Sequence, residues 1–208
     1  GHHVFRTDSL TINAMSVIPR LDPSERSDQT YLDFLRELER SEFKGDLSRD
    51  FGTRLVTSTD NSIYQVLPQC VVYPKTTRDM KTLFETASSG CFQGIKLTHR
   101  GGGTGTNGQS LSDGVIVDCS RHMNRVLELN LVESWVRVQP GVVLDQLNDF
   151  LRPHGVFFAP SVSPSSRVTL AGMINTDACG KGSRVYGRTS DHFLELQYVL
   201  SDGKLLKI

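Results

Sequence analysis

Apolar residues recur along the chain with two different periods, and the switches between them mark its elements. Over residues 28–43, Tyr31, Phe34, Leu35 and Leu38 stand three and four apart with charges between them, which predicts a helix with one apolar face, stopped by Gly45-Asp46. The pattern fades between Phe51 and Pro68. Ser58-Thr59-Asp60-Asn61-Ser62 reads as a surface loop, where Asn61 or Tyr64 is a candidate to touch a ligand against the plainer reading of loop surface. Val71-Val72-Tyr73, closed by Pro74, predicts a short strand. Thr77 is placed to cap a helix with Asp79 in its first turn, Met80, Leu83, Phe84 and Ala87 at i, i+3, i+4 and i+7, and Gly90 at its end. Ile95-Lys96-Leu97-Thr98 predicts a strand that runs straight into Arg100.

Val115-Ile116-Val117-Asp118 is apolar enough to be a strand covered on both faces. Residues 126–130 and 135–139 alternate around a polar turn, as a hairpin does. Leu144, Leu147 and Leu151 line a third helix, ended by Pro153 and Gly155. Residues 193–200 and 204–208 flank Asp202-Gly203 as a second hairpin. Helices and short strands are interspersed, so the class is α+β.

Composition narrows the partners. Lys plus Arg equals Asp plus Glu at 23 each, so no net field draws the chain to nucleic acid or an anionic membrane. No apolar run approaches the ~20 residues of a membrane span, and the start lacks a signal peptide's pattern, so a cytoplasmic location is expected. Cys70, Cys91, Cys119 and Cys179 form no CxxC pair, and reduced thiols are expected rather than zinc or cluster ligands. His99, His122, His154 and His192 lack HxH or HxxxH spacing, so no metal is expected.

The chemistry concentrates in Arg100-Gly101-Gly102-Gly103-Thr104-Gly105-Thr106-Asn107-Gly108. Five of the eight residues from Gly101 to Gly108 are glycine, which permits positive φ and lets a ligand meet bare backbone. Consecutive N–H groups can converge on an anion, Thr104, Thr106 and Asn107 add side-chain donors, and Arg100 adds a charge. A phosphate is the natural guest. An empty glycine-rich turn is the alternative, but each ordered glycine costs roughly 0.5–1 kcal/mol relative to alanine, which a ligand would offset. Gly103-x-Gly105-x-x-Gly108 meets the dinucleotide fingerprint, yet only residues 109–114 separate it from the next strand and no crossover helix fits. A P-loop would need lysine where Gln109 stands. Arg184 and Arg188 can also pair with phosphate, although surface charge is the plainer reading.

A run of further motifs carries a resemblance. Val72-Tyr73-Pro74 and the glycine stretch are followed by residues 116–125 (IVDCSRHMNR), residues 136–142 (VRVQPGV), Phe158-Ala159-Pro160, residues 169–180 (TLAGMINTDACG), Val185-Tyr186-Gly187 and Asp202-Gly203. In this order they resemble the FAD-binding domain of the vanillyl-alcohol-oxidase and p-cresol-methylhydroxylase (PCMH-type) superfamily. Within it they are similar to the FAD-linked D-2-hydroxy-acid dehydrogenases, including the large bacterial YdiJ-type enzymes.

The resemblance implies two small α/β subdomains with FAD between them. It implies a PCMH-type domain over residues 71–208; ahead of it, residues 15–70 read as a helical lead-in and residues 1–14, which open on Gly1-His2-His3 and precede Met15, as a tag or vector-derived segment. The Leu205-Leu206-Lys207-Ile208 ending is expected to be a cut through a longer chain. By the same resemblance Arg100 and Gly101 to Gly108 wrap the FAD pyrophosphate. Pro160 to Gly180 form a second wall, with Thr169 and Gly172 near the pyrophosphate and ribityl chain and Asn175 and Ala178 toward the flavin ring. Gly141, Val142 and Val199 approach the adenine end. Ala171 replaces a usual glycine, and its methyl would narrow the channel. Covalently flavinylated relatives carry histidine where Thr104 stands, so FAD is expected to bind non-covalently.

The implied activity is oxidation of a 2-hydroxy acid, with electrons passing to an acceptor through an iron–sulfur cluster outside these residues. The alternatives are a non-catalytic flavin-binding module and an enolpyruvyl sugar-nucleotide reductase of the same fold. No residue of this chain is expected to be catalytic.

Overall fold

The computed structural model describes residues 27–208; the expected tag segment at 1–14 and the first part of the lead-in lie outside them. The Asp28 carboxylate accepts from the Thr30 N–H and opens α1 (Gln29–Arg40), whose Phe34, Leu35 and Leu38 are buried as their spacing predicts. Past Gly45 come β1 (Asp46–Ser48) and α2 (Phe51–Thr57), which the fading pattern did not reveal because both are too short to show a period. Asp50 caps α2 by accepting from the Thr53 N–H. Buried Arg54 then pins the helix by donating to the Pro68 carbonyl at 2.6 Å.

β2 (Cys70–Tyr73) leads through Pro74 into α3 (Thr77–Ser88). The cap is Thr76 rather than Thr77. Thr76 Oγ1 accepts from the Asp79 N–H and the Asp79 carboxylate accepts from the Thr76 N–H, a capping box. That carboxylate also accepts from the N–H groups of Lys44 and Lys75, which explains how an aspartate comes to be buried here. The helix stops at Ser88, before Gly90. β3 (Leu97–Arg100) starts two residues later than the sequence predicts, and β4 (Val115–Asp118) falls where expected.

The four strands form one sheet in the order β1-β2-β4-β3, with β2 and β3 parallel to β4 and β1 antiparallel to β2. Cys70, Val72, Val115 and Val117 pack with Phe34, Leu38 and Leu83 from α1 and α3, while Val71, Tyr73 and Ile116 form a smaller cluster from the alternate positions. This is the first lobe. Residues ahead of 71 thus share its core.

The second lobe begins with the hairpin β5 (Val126–Asn130) and β6 (Trp135–Val138). α4 (Leu144–Leu151) follows and tightens into a 3-10 turn at Arg152–His154, which Gly155 closes at φ 71°. Then come the short helices α5 (Leu170–Asn175) and α6 (Ser183–Tyr186), while the separate hairpin β7 (Gln197–Val199) and β8 (Leu205–Lys207) packs back on α3 of the first lobe. Val142, Leu144, Leu147, Leu151, Val168, Leu170 and Met173 make the core of the second lobe. Among the described residues no helix is long and apolar enough to cross a membrane.

Candidate functional site

The glycine loop leaves β3 at the carboxyl end of the parallel strands, where open α/β sheets bind their ligands. Gly103 and Gly108 adopt φ of 61° and 73°, conformations that a side chain would strain. Gly101 and Gly102 are needed for a different reason. A Cβ on Gly102 would overlap the Arg167 carbonyl oxygen, and one on Gly101 would overlap Thr169 Oγ1. Bare backbone here therefore lets the two lobes meet, a requirement independent of any ligand.

Among the described residues, the N–H groups of Gly102, Gly103, Thr104, Gly105 and Thr106 donate to no other residue. The Asn107 N–H donates to Gln109 Oε1 at 3.0 Å. Thr104 is half-buried, and Thr106 and Asn107 are exposed. Five successive unengaged donors on a backbone held at both ends suit an anion.

Arg100 folds back against Gly103, its Nη2 overlapping the place where a Cβ there would stand. Its guanidinium donates to the Thr59 carbonyl at 2.8 Å and, more loosely, to the Thr57 carbonyl and Ser110 Oγ at 3.4 Å. Burial lowers its pKa, the charge of Arg167 adds to that, and Asp118 and Asp60 oppose both. The loop it grips braces the glycines: the Asn61 N–H donates to the Gly105 carbonyl at 3.2 Å, and Ser110 Oγ donates to Asp60 at 3.2 Å. The Tyr64 ring lies 3.0 Å from where a Gly108 Cβ would stand. Asn61 and Tyr64 thus support the glycine loop, a role their polar setting in the sequence gave no sign of.

The facing wall comes from the second lobe. The Gly141 N–H donates to the Met123 carbonyl at 2.7 Å, and a Cβ there would stand 2.5 Å from the Cys119 carbonyl oxygen. The Leu170 N–H donates to the carbonyl of buried Val142 at 2.9 Å and the Ala171 N–H to that of Pro140 at 3.1 Å, which stitches residues 140–142 to 169–172. Ala171 is half-buried in that stitch. Thr169 Oγ1 caps α5 by accepting from the Gly172 N–H at 3.4 Å.

Beyond α5, Asn175 is exposed and the Ala178 N–H donates to the Met173 carbonyl at 2.8 Å. Between them Asp177 sits at φ 46°, held by a salt bridge from Arg188 at 2.7 Å and by the Ser190 N–H at 3.0 Å. Arg188 is therefore committed to Asp177, while Arg184 lies exposed on α6. Gly180 packs on the Ser161 carbonyl, beside buried Pro160. Val199 lies in β7, which pairs with β8 and rests on α3.

A cavity of about 300 Å³ opens beside this wall, lined by Pro160, Ser161, Val162, Phe158 and Tyr186 among others. It holds no residue of the glycine loop. Burial pushes the Cys70 and Cys119 thiols up to about 12, which keeps both protonated and unreactive. His99 stacks on Phe84 at 5.7 Å. Among the described residues no three His, Cys, Asp or Glu side chains cluster as a metal site.

Residues 68–208 match the FAD binding domain family. The chain is 52% identical over 190 residues to D-2-hydroxyglutarate dehydrogenase of Haemophilus influenzae, covering 91% of this chain and 18% of that protein. It is 57% identical over 176 residues to the D-2-hydroxyglutarate dehydrogenase of Pseudomonas putida, covering 85% of this chain and again 18% of the relative. It therefore spans about a fifth of the length of these relatives. Among solved structures, alkyldihydroxyacetonephosphate synthase superimposes with a TM-score of 0.78 at 23% identity, over 91% of this chain and 37% of that one. At that identity the likeness carries the fold alone.

Proposed function

The chain belongs to the FAD-binding domain family, and from that premise we propose that its two lobes hold FAD for a full-length protein that oxidises a 2-hydroxy acid, D-2-hydroxyglutarate first among the candidates. The observation that carries the cofactor assignment is the run of unengaged N–H groups from Gly102 to Thr106 at the carboxyl end of β3. These residues receive the pyrophosphate, and Gly101 to Gly108 with Thr169 and Gly172 set its position. Gly141 and Val142 line the adenine side through main-chain atoms, with Val199 assigned to that side by resemblance alone. Pro160, Asn175, Ala178 and Gly180 bound the ring side. Bound FAD supplies the hydride acceptor at its N5 position. The protein's part is to fix that cofactor and keep its phosphates paired.

Identities of 52% and 57% to proteins named D-2-hydroxyglutarate dehydrogenase support the substrate class and favour it over sugar-nucleotide reduction. The groups that grip the substrate carboxylate and take its hydroxyl proton lie elsewhere in the full-length protein, as does an iron–sulfur centre that passes electrons to an acceptor. The 208 residues alone then bind flavin without turnover. Thr104 offers no ring nitrogen for a flavin bond, so the cofactor is held non-covalently. A cytoplasmic setting, where 2-hydroxy acids meet reduced thiols, completes the proposal.

The test is an absorption spectrum taken after FAD is added to purified protein and excess is removed, followed by acid precipitation. Retained flavin bands and complete release of flavin into the acid supernatant are expected. A folded sample that retains no flavin overturns the cofactor assignment. D-2-hydroxyglutarate with a dye acceptor should be turned over by the full-length protein and not by the 208-residue chain.

A further inference from the structure

The glycine loop's own cation, Arg100, is charged but has its guanidinium hydrogens directed to the Thr57 and Thr59 carbonyls and Ser110 Oγ. A pyrophosphate carries negative charge that neutral N–H groups only partly offset. A second cation stands at the loop's other side. Arg167 projects from the second lobe, and its Nη2 donates to the Gly102 carbonyl at 3.3 Å. Its side of the seam is fixed: the Arg167 N–H donates to the Pro164 carbonyl at 2.9 Å, and its own carbonyl packs directly against Gly102. The residue is exposed, and among the described residues its guanidinium meets no carboxylate. Its charge is felt by Arg100, where it is a like charge and unfavourable. An anion between the two would relieve that repulsion.

We propose that Arg167, and not Arg100, is the residue that neutralises the FAD pyrophosphate, reaching over the seam from the second lobe to clamp it on the N–H groups of Gly102 to Thr106. The inference rests on the FAD assignment above. Arg100 keeps a positioning role, holding the 57–62 loop under the glycines.

The test is FAD affinity, read by flavin fluorescence during titration of flavin-stripped protein at low and high KCl, for the unaltered protein, R167K and R167Q. A charge-assisted contact of this kind predicts a Kd for R167Q raised roughly 10- to 100-fold, with a shallower salt dependence. R167K should recover much of the loss, and the melting temperature without flavin should stay the same, since the side chain is exposed. An R167Q protein that binds FAD as tightly as the unaltered one overturns the inference. So does an equal loss in R167K and R167Q with unchanged salt dependence, which marks a packing role. Failure of the unaltered protein to bind FAD instead overturns the cofactor assignment itself.

Discussion

β2 in the first lobe and β6 in the second are both four residues long, yet every residue of β2 is buried and none of β6 is. The difference lies in what each lobe uses as its frame. In the first, a four-stranded sheet takes α1 and α3 on one face, so its strands read as continuous apolar runs. In the second, the two-stranded ribbon β5–β6 leans on a core made by α4, α5 and the segments between them. Ribbons of that size are marginal alone and depend on what they pack against. The site draws one part from each kind of frame. A rigid strand end carries the glycine loop, and the hydrogen-bonded segments 140–142 and 167–172, the latter running into α5, carry the facing wall.

Paired substitutions break this contrast if it is wrong. Phe34, fully buried between α1 and the sheet, should cost about 3–5 kcal/mol when changed to alanine. Leu127 in β5 is 52% exposed, and its change to alanine should stay within about 0.5 kcal/mol. Denaturant midpoints of the two variants measure the contrast, and equal losses would sink it. A second pair tests the seam. Gly102→Ala forces a methyl into the Arg167 carbonyl and should cost about 1–3 kcal/mol together with most FAD affinity. Gly94→Ala has open space around it and should be neutral, or stabilise by up to about 1 kcal/mol. If both leave melting temperature and FAD titration unchanged, the lobes do not depend on that close approach.

The first lobe was largely legible because its elements are long or fully apolar. The 3–4 spacing of Phe34, Leu35 and Leu38 and the unbroken Val115-Ile116-Val117 run left one sensible reading each. β1 and α2 were not legible, since three and seven residues cannot display a period, and what fixes them is pairing with β2 and an Arg54 bond to Pro68. At the site, the glycine run announced an anion cradle, but sequence could not say which way Arg100 points. Its neighbours in the chain are the glycines; its partners in space are the Thr57 and Thr59 carbonyls. Arg167 carried no signal at all: a single arginine between Ser166 and Val168 gains meaning only when the second lobe brings it to Gly102.

The smallest expected effect concerns the exposed edge of the sheet, where the first lobe is held by charge rather than burial. Asp46 in β1 accepts from Lys75 Nζ and pairs with His122 Nε2, both at 2.6 Å, and so ties the edge strand to the turn that follows β4. The bond from Lys75, then that from His122, brings its carboxyl down from 3.8 to about 2. A carboxyl whose pKa is lowered by folding contributes stability above its unfolded value and loses it as the proton is forced on. The contribution is therefore whole above about pH 4 and disappears as pH falls toward 2. Asp46 is 38% exposed, so solvent screening keeps it below about 1 kcal/mol. Asp50, the α2 cap, is lowered to about 2 as well, so Asp46→Asn should flatten only part of the acid limb. Circular dichroism across that window, for the unaltered protein and for Asp46→Asn at low salt and in 1 M NaCl, measures this. A difference that shrinks in salt is expected, because screening weakens an exposed pair. Superimposable acid limbs would mean that β1 is held by its backbone ladder to β2 alone, and that the first lobe owes nothing to charge at its edge.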